Sequence, residues 1–208
     1  MKNIFKKGLL VLLLLFVGGI IFVSYFNRIP ERTIPQGNTI VSPANGKVIN
    51  IKSVDNAEIT FFKNDIKNIL PVHDINPPYT VVIIEMNLKN VHVQRAPIDG
   101  MIAYQEYFPG THKNALFSPN LNQLVNTNEK KLIVFKNDNV SVGVVQVAGL
   151  AARRIRSFVK ENDIIKKGDV YGKIILGSQI VVIIPKEAII STSVGKILID
   201  GESIIAEY

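Results

Sequence analysis

Hydrophobic positions divide the chain into two unlike parts. From Gly8 to Phe26 the residues are uncharged and almost all apolar, rich in Leu, Val, Ile and Phe. At about 1.5 Å per residue, such a helix crosses the hydrocarbon core of a bilayer. Beyond Thr39 the apolar positions come instead in short runs rich in Val and Ile. Val48 to Ile51, Thr80 to Ile84, Lys131 to Phe135, Val140 to Val147, Tyr171 to Ile175, Ile180 to Ile184 and Gly195 to Ile199 all read as strands. Asn-Gly, Pro-Pro, Asn-Asp-Asn and Lys-Gly-Asp turns separate them. Helical periodicity past residue 26 is confined to weak signals at Asn56 to Leu70 and Leu150 to Val159. The pattern predicts a mainly β, barrel-sandwich-like domain over 28–208 behind an N-terminal membrane helix within 1–27.

Lys2, Lys6 and Lys7 precede the apolar stretch, and no clear small-residue cleavage site follows it. That predicts an uncleaved anchor in the cell membrane with its N-terminus in the cytoplasm. The Gly18-Gly19 pair also allows a tilted or re-entrant helix, so the side holding the domain stays open. The net charge of +7 favours an anionic partner such as a lipid surface. No Lys/Arg block carries interleaved aromatics, which argues against nucleic acid. The chain has no cysteine, and its three histidines, His73, His92 and His112, are scattered. Disulfides are excluded and a metal site is not expected.

One motif occurs twice. Ser42-Pro43-Ala44-Asn45-Gly46-Lys47-Val48 is echoed by Ala96-Pro97-Ile98-Asp99-Gly100-Met101-Ile102. Pro fixes φ and the Asn-Gly or Asp-Gly pair supplies positive φ, so each predicts a tight turn into a strand. Two ordinary hairpin turns would give the same motif. The signature also resembles barrel-sandwich folds such as lipoyl-like domains, as does Asn162 to Gly172, although no lipoyl-acceptor hairpin is present.

Five blocks, in order, resemble the phosphatidylserine decarboxylase proenzyme family in its short, archaeal-type form. They are Arg28 to Pro35, Val41 to Val48, Asn90 to Pro97 with its Val-His-Val-Gln-Arg core, Gln146 to Ile155, and Leu176-Gly177-Ser178. Pro109-Gly110, Lys113-Asn114-Ala115 and Asn128-Glu129 add weaker matches, and the likeness covers about residues 28 to 205. The resemblance implies that the chain cuts itself between Gly177 and Ser178 and that Ser178 becomes a pyruvoyl cofactor. The Ser178 hydroxyl would attack the Gly177 carbonyl to give an ester, and loss of the Ser178 α-proton would lead through dehydroalanine to pyruvoyl. That carbonyl sink then serves to convert phosphatidylserine to phosphatidylethanolamine and carbon dioxide. The partners implied are a phospholipid and the protein's own large and small chains; homo-oligomerisation stays open.

By the same resemblance His92 is the base, and Arg95, Arg153 and Arg154 are candidates for a substrate phosphate or carboxylate, with a structural salt bridge the equal alternative for Arg95. Asn45 stands where the family has an Asp that orients the histidine. An amide accepts a hydrogen bond but cannot balance an imidazolium, and the comparable change in a serine protease triad lowers turnover by about 10⁴. Two alternatives remain at this stage. One is an unprocessed, lipid-binding pseudoenzyme, and the other a membrane-anchored barrel-sandwich adaptor.

Overall fold

The computed structural model of the protein describes residues 2–63, 66–87, 89–110, 128–149, 155–174 and 179–208. Among the described residues, one helix, α1 (Lys2–Phe26), precedes sixteen strands. They are β1 (Thr39–Val41), β2 (Gly46–Val54), β3 (Glu58–Lys63), β4 (Ile66–Pro71), β5 (Tyr79–Glu85), β6 (Val93–Arg95), β7 (Gly100–Phe108) and β8 (Lys130–Lys136). Then follow β9 (Ser141–Val147), β10 (Ile155–Ser157), β11 (Ile164–Ile165), β12 (Val170–Ile174), β13 (Gln179–Pro185), β14 (Ile189–Ile190), β15 (Ile197–Leu198) and β16 (Ile204–Glu207). The mainly β reading holds, and six of the seven expected strands sit within or nearly coincide with an observed one. Of the seventh, Gly195 to Ile199, only two residues pair.

The largest sheet has the order β11-β7-β8-β9-β13-β5-β2-β15. Its centre is β13, a run of Ile and Val held on one side by β5 and on the other by β9. Every residue of β13 before Pro185 is buried, which explains the unbroken apolar run in place of an alternating one. One face of this sheet, through Val82, Ile84, Val144 and Val182, packs on Ile40, Tyr171, Ile174 and Ile205 from the two three-stranded sheets, β1-β16-β14 and β10-β12-β6. The other face, through Val81, Val145, Val147 and Val181, packs on Ile59, Phe61 and Leu70.

Those last residues correct the helical reading of Asn56 to Leu70, which is the β3-β4 hairpin. The burial of Ile59, Phe61 and Lys63 on β3, and of Ile66, Asn68 and Leu70 on β4, has a period of two. The other helical signal, Leu150 to Val159, falls partly outside the described residues. Its described part opens with β10, paired to β12.

The sequence echo is a structural duplication. Gly46 and Gly100 open β2 and β7, and each strand is crossed by a two-residue partner, Leu198 opposite Gly46 and Ile165 opposite Gly100. Both long strands carry a register shift just after this point, at Val48/Asn50 and at Ile102/Tyr104. The Asp200 N–H donates to Asn45 Oδ1 at 2.7 Å, and the Lys167 N–H donates to Asp99 Oδ1 at 2.9 Å. The glycines that follow, Gly201 and Gly168, both have positive φ.

Candidate functional site

His92 lies one residue before β6, on the short sheet edge that β12 completes. It is 2% exposed. Its Nδ1 stands 2.8 Å from the Asn90 carbonyl oxygen. A carbonyl only accepts, so Nδ1 carries the hydrogen and Nε2 keeps the lone pair of the neutral ring. Burial lowers the His92 pKa, the Asn90 contact opposes this, and the Arg28 charge lowers it further. The net result is an imidazole held in its basic form at neutral pH.

Its surroundings fix the backbone as well. The His92 carbonyl accepts from the Ile174 N–H at 3.1 Å and from Gln94 Nε2 at 2.9 Å. Gln146 Nε2, on β9, donates in turn to Gln94 Oε1 at 2.9 Å. Gly172 keeps room for this relay, because a Cβ there would come within 3.2 Å of Gln146 Nε2. Gly177 and Ser178, together with Arg153 and Arg154, lie outside the described residues. Ile174 is bonded to the His92 backbone, and Gln179, covalently joined to residue 178, opens β13 between Val147 and Glu85.

Asn45 and His92 are not joined by a hydrogen bond among the described residues. Asn45 Oδ1 serves the Asp200 backbone, the same duty that Asp99 performs in the second copy of the motif. Arg95 is buried and turned into the protein. Its Nε donates to Asp200 Oδ2 at 2.7 Å, one terminal nitrogen to the Gly168 carbonyl at 2.7 Å, and the other to the Pro30 carbonyl at 2.6 Å. Asp200, fully buried, also accepts from Arg32 at 2.6 Å. The geometry therefore displays the salt-bridge alternative for Arg95. Sequence reading missed Asp200 altogether. Its signal was available, because Asp200-Gly201 repeats the turn at Lys167-Gly168.

A second polar group lies on the opposite face of the large sheet. Lys130 on β8 pairs in register with Val147 on β9, and Val147 pairs with Gln179 on β13. Side chains directly opposite one another share a face. Lys130 is 2% exposed, and burial lowers its pKa to about 8. Its ammonium donates to Asn68 Oδ1 and to the Asn128 carbonyl, each at 3.3 Å. Asn128 Nδ2 donates to the Ala148 carbonyl at 2.9 Å, and its Oδ1 accepts from Asn68 at 3.2 Å. The sequence offered only Asn128-Glu129 as a weak family match, with nothing to mark the next residue as buried.

The helix ends beside His92. Arg28 donates to the Lys89 carbonyl at 3.0 Å, and Lys173 donates to Asn27 Oδ1 at 2.9 Å. The 18-residue span Gly8–Tyr25 within α1 is long and apolar enough to cross a membrane, with 0% of it buried against the rest of the protein.

Comparison with known proteins identifies the family. The family model for phosphatidylserine decarboxylase matches residues 20–206. A Methanocaldococcus jannaschii protein named as an archaetidylserine decarboxylase proenzyme is 39% identical over 189 residues, covering 90% of each chain. The phosphatidylserine decarboxylase proenzyme of Syntrophus aciditrophicus is 36% identical over 190 residues, covering 90% of this chain and 80% of the other. That of Carboxydothermus hydrogenoformans is 36% identical over 186 residues, covering 89% of this chain and 76% of the other. With the family model matching residues 20–206 and relatives 36–39% identical over most of this chain, the protein belongs to the phosphatidylserine decarboxylase family and is a decarboxylase.

Proposed function

We propose that the chain is a proenzyme that cuts itself between Gly177 and Ser178, derives a pyruvoyl group from Ser178, and decarboxylates the serine headgroup of a membrane phospholipid. The observation that carries this reading is His92. Its tautomer leaves Nε2 as the proton acceptor, its burial keeps it neutral, and its backbone is bonded to the residue that leads into 175–178. A neutral imidazole there can take the Ser178 hydroxyl proton during self-cleavage. The same nitrogen, once protonated, can return a proton to the carbon that loses carbon dioxide.

The surrounding residues fit a serine-derived carbonyl group. Gln146 Oε1 and Gln179 Oε1 are buried and have no hydrogen-bond partner among the described residues. They sit at the end of the β9-β13 pair, beside residue 178, Gln146 on the face of the His92 relay and Gln179 on the opposite one. When formed, the pyruvoyl carbonyl supplies an electron sink for the pair left by departing carbon dioxide. Asn45 and Arg95 belong to the scaffold in this reading, one holding the turn at Asp200 and the other pinning 30, 168 and 200 together.

The relatives' names differ in the lipid and share the serine headgroup. We therefore assign the headgroup, a phosphodiester of serine, as the recognised part. The apolar helix anchors the domain in the cell membrane, and its exit beside Lys89 and Asn90 brings the His92 side of the domain to the lipid surface. The test is the intact mass of the denatured protein. Two chains, 1–177 and 178–208, are expected, the smaller with a blocked amino terminus, and Ser178→Ala should stay in one piece. A wild-type chain of full mass that persists for days overturns the proposal in favour of an unprocessed lipid binder.

A further inference from the structure

We propose that the arm 193–199, which carries β15, is a second membrane contact that docks on an anionic lipid surface beside the anchor helix. The inference rests on the reading of α1 as a membrane anchor and deepens it. The two duplicated arms carry the argument, because they share one backbone and differ in chemistry. In one arm the Gly195 N–H donates to the Val48 carbonyl at 2.8 Å, and the Val48 N–H to the Lys196 carbonyl at 2.9 Å. In the other the Asn162 N–H donates to the Ile102 carbonyl at 2.9 Å, and the Ile102 N–H to the Asp163 carbonyl at 3.0 Å. The same 3.2 Å bond closes both turns, from the Lys196 N–H to the Ser193 carbonyl and from the Asp163 N–H to the Lys160 carbonyl. Val194 therefore occupies the position of Glu161, Lys196 that of Asp163, and Ile199 that of Lys166. Ile197 and Ile164 are identical, and both are exposed. A polar, acidic turn holds this backbone equally well, so the exposed Val194, Lys196 and Ile199 answer to something other than the fold.

Their places in the sheet differ as their chemistry does. Both corners meet the segment that leaves the anchor, Asp200 through Arg32 and Gly168 through Arg95, which also bonds Pro30. From there the register separates them. Ile197 stands opposite Lys47, Lys47 opposite Glu85, and Glu85 opposite Gln179. Four residues past Glu85 is Lys89, whose carbonyl receives Arg28 at the end of α1, and His92 follows. Ile164 stands opposite Met101, and Met101 opposite Lys136, at the far end of β8. The length of β8, roughly 20 Å, lies between Lys136 and Lys130, which belongs to the Gln179 row. The apolar, basic arm is thus at the end of the sheet where the anchor leaves, and the acidic arm is at the other. Exposed Val and Ile side chains enter the headgroup boundary of a bilayer, while Lys47 and Lys196 pair with lipid phosphates. Glu161 and Asp163 in the same positions would be repelled by such a surface.

The chain contains no tryptophan, so a single introduced indole reports alone. Ile197→Trp and Ile164→Trp put the same probe at equivalent exposed positions of the two arms. The full chain carrying either substitution is reconstituted in vesicles of phosphatidylcholine and phosphatidylglycerol with acyl chains brominated near the headgroup. Its emission is compared with that in unbrominated vesicles, and thermal melting shows that each variant folds. An interfacial side chain reaches such bromines, so the Ile197→Trp emission should fall about twofold or more, while the Ile164→Trp emission stays constant. Adding Val194→Glu and Lys196→Asp, the residues of the other arm, to Ile197→Trp should restore the emission. Equal quenching of the two probes overturns the proposal. So does an unquenched Ile197→Trp probe in a chain that floats with the vesicles; a blue-shifted emission in that case would mark a protein surface as the occupant. Flotation of the same samples separates this failure from failure of the anchor: a chain that does not float removes α1 as the anchor, and the lipid contact of the arm with it.

Discussion

At His92 the ring meets the protein through Nδ1, and it meets a backbone carbonyl where the family comparison suggested the side chain at position 45. The histidine was singled out in the sequence because Val-His-Val-Gln-Arg resembles the family's histidine motif. Its partner was not, because a backbone acceptor leaves no trace in residue identity. Asn45 was read as the histidine's partner, while Arg95 shows the salt bridge named as its alternative, to an Asp200 that the sequence reading had passed over. Both lie in blocks that resemble the family's, and both bind neighbouring turns, through Asp200 and Gly168. Burial and the Arg28 charge lower the His92 pKa, so Nε2 is protonated only below the ordinary value of about 6.5. The chain-cleavage rate, followed by mass spectrometry after a pH jump, should therefore fall on the acid side with its half-maximal point below pH 6.5. The sign follows from the direction of the shift: a lowered histidine pKa moves the acid limb down. A half-maximal rate at or above pH 6.5 would mean that His92 is not the base. Linkage gives the same sign for stability, since the unfolded chain binds more protons in that window and the His92 contribution is lost as pH falls from 6.5 through the folded value.

Among the elements, the duplicated corner was the best sign of architecture in the sequence. Two copies of Pro, any residue, Asn or Asp, Gly read as two turns. Their equivalence as a pair of crossing arms needed the register of β15 on β2 and of β11 on β7. The β3-β4 hairpin was misread because Phe62 and Asn64-Asp65 blur its alternation, so that a weak helical period competes with a period of two. Long, fully buried strands were the easy elements, since a continuous Val/Ile run has few other uses in a chain of this size. The corner makes a sharp demand at Gly100, whose φ is 153° and whose added Cβ would stand 2.2 Å from the Lys136 carbonyl oxygen. Gly37 has a φ of 87° with nothing within 4 Å of the same atom. Gly100→Ala must therefore both strain its backbone and push β8 aside, whereas Gly37→Ala bears the first cost alone. Backbone strain of this kind costs about 1–3 kcal/mol. Urea denaturation should rank Gly100→Ala clearly below Gly37→Ala in stability, and equal losses would mean that β7 and β8 separate easily at this corner.

Across the whole molecule, the proposed cut falls between β12 and β13 and divides no described strand. The small chain would begin at 178 and contribute β13, β14, β15 and β16. Of these, β13 is the central strand of the large sheet, bonded over Gln179 to Pro185 on the β5 side and Gln179 to Ile183 on the β9 side. β15 closes the far edge against β2, and β16 lies between β1 and β14. Asp200 adds ion pairs to Arg32 and Arg95 of the large chain. The large side chains of the small chain from Ile180 to Ile184, with Leu198 and Ile205, are core residues shared with the large one. Burying even one such side chain is worth about 1.5–3 kcal/mol, and together they outweigh the translational freedom that separation would release. Processing should accordingly leave one particle. Gel filtration in mild detergent should elute both chains together at the position of the Ser178→Ala protein, and only denaturant should part them. Loss of the 178–208 chain under native conditions would show that β13 is held by covalent continuity and not by its two neighbours, a result at odds with its place in the middle of the sheet.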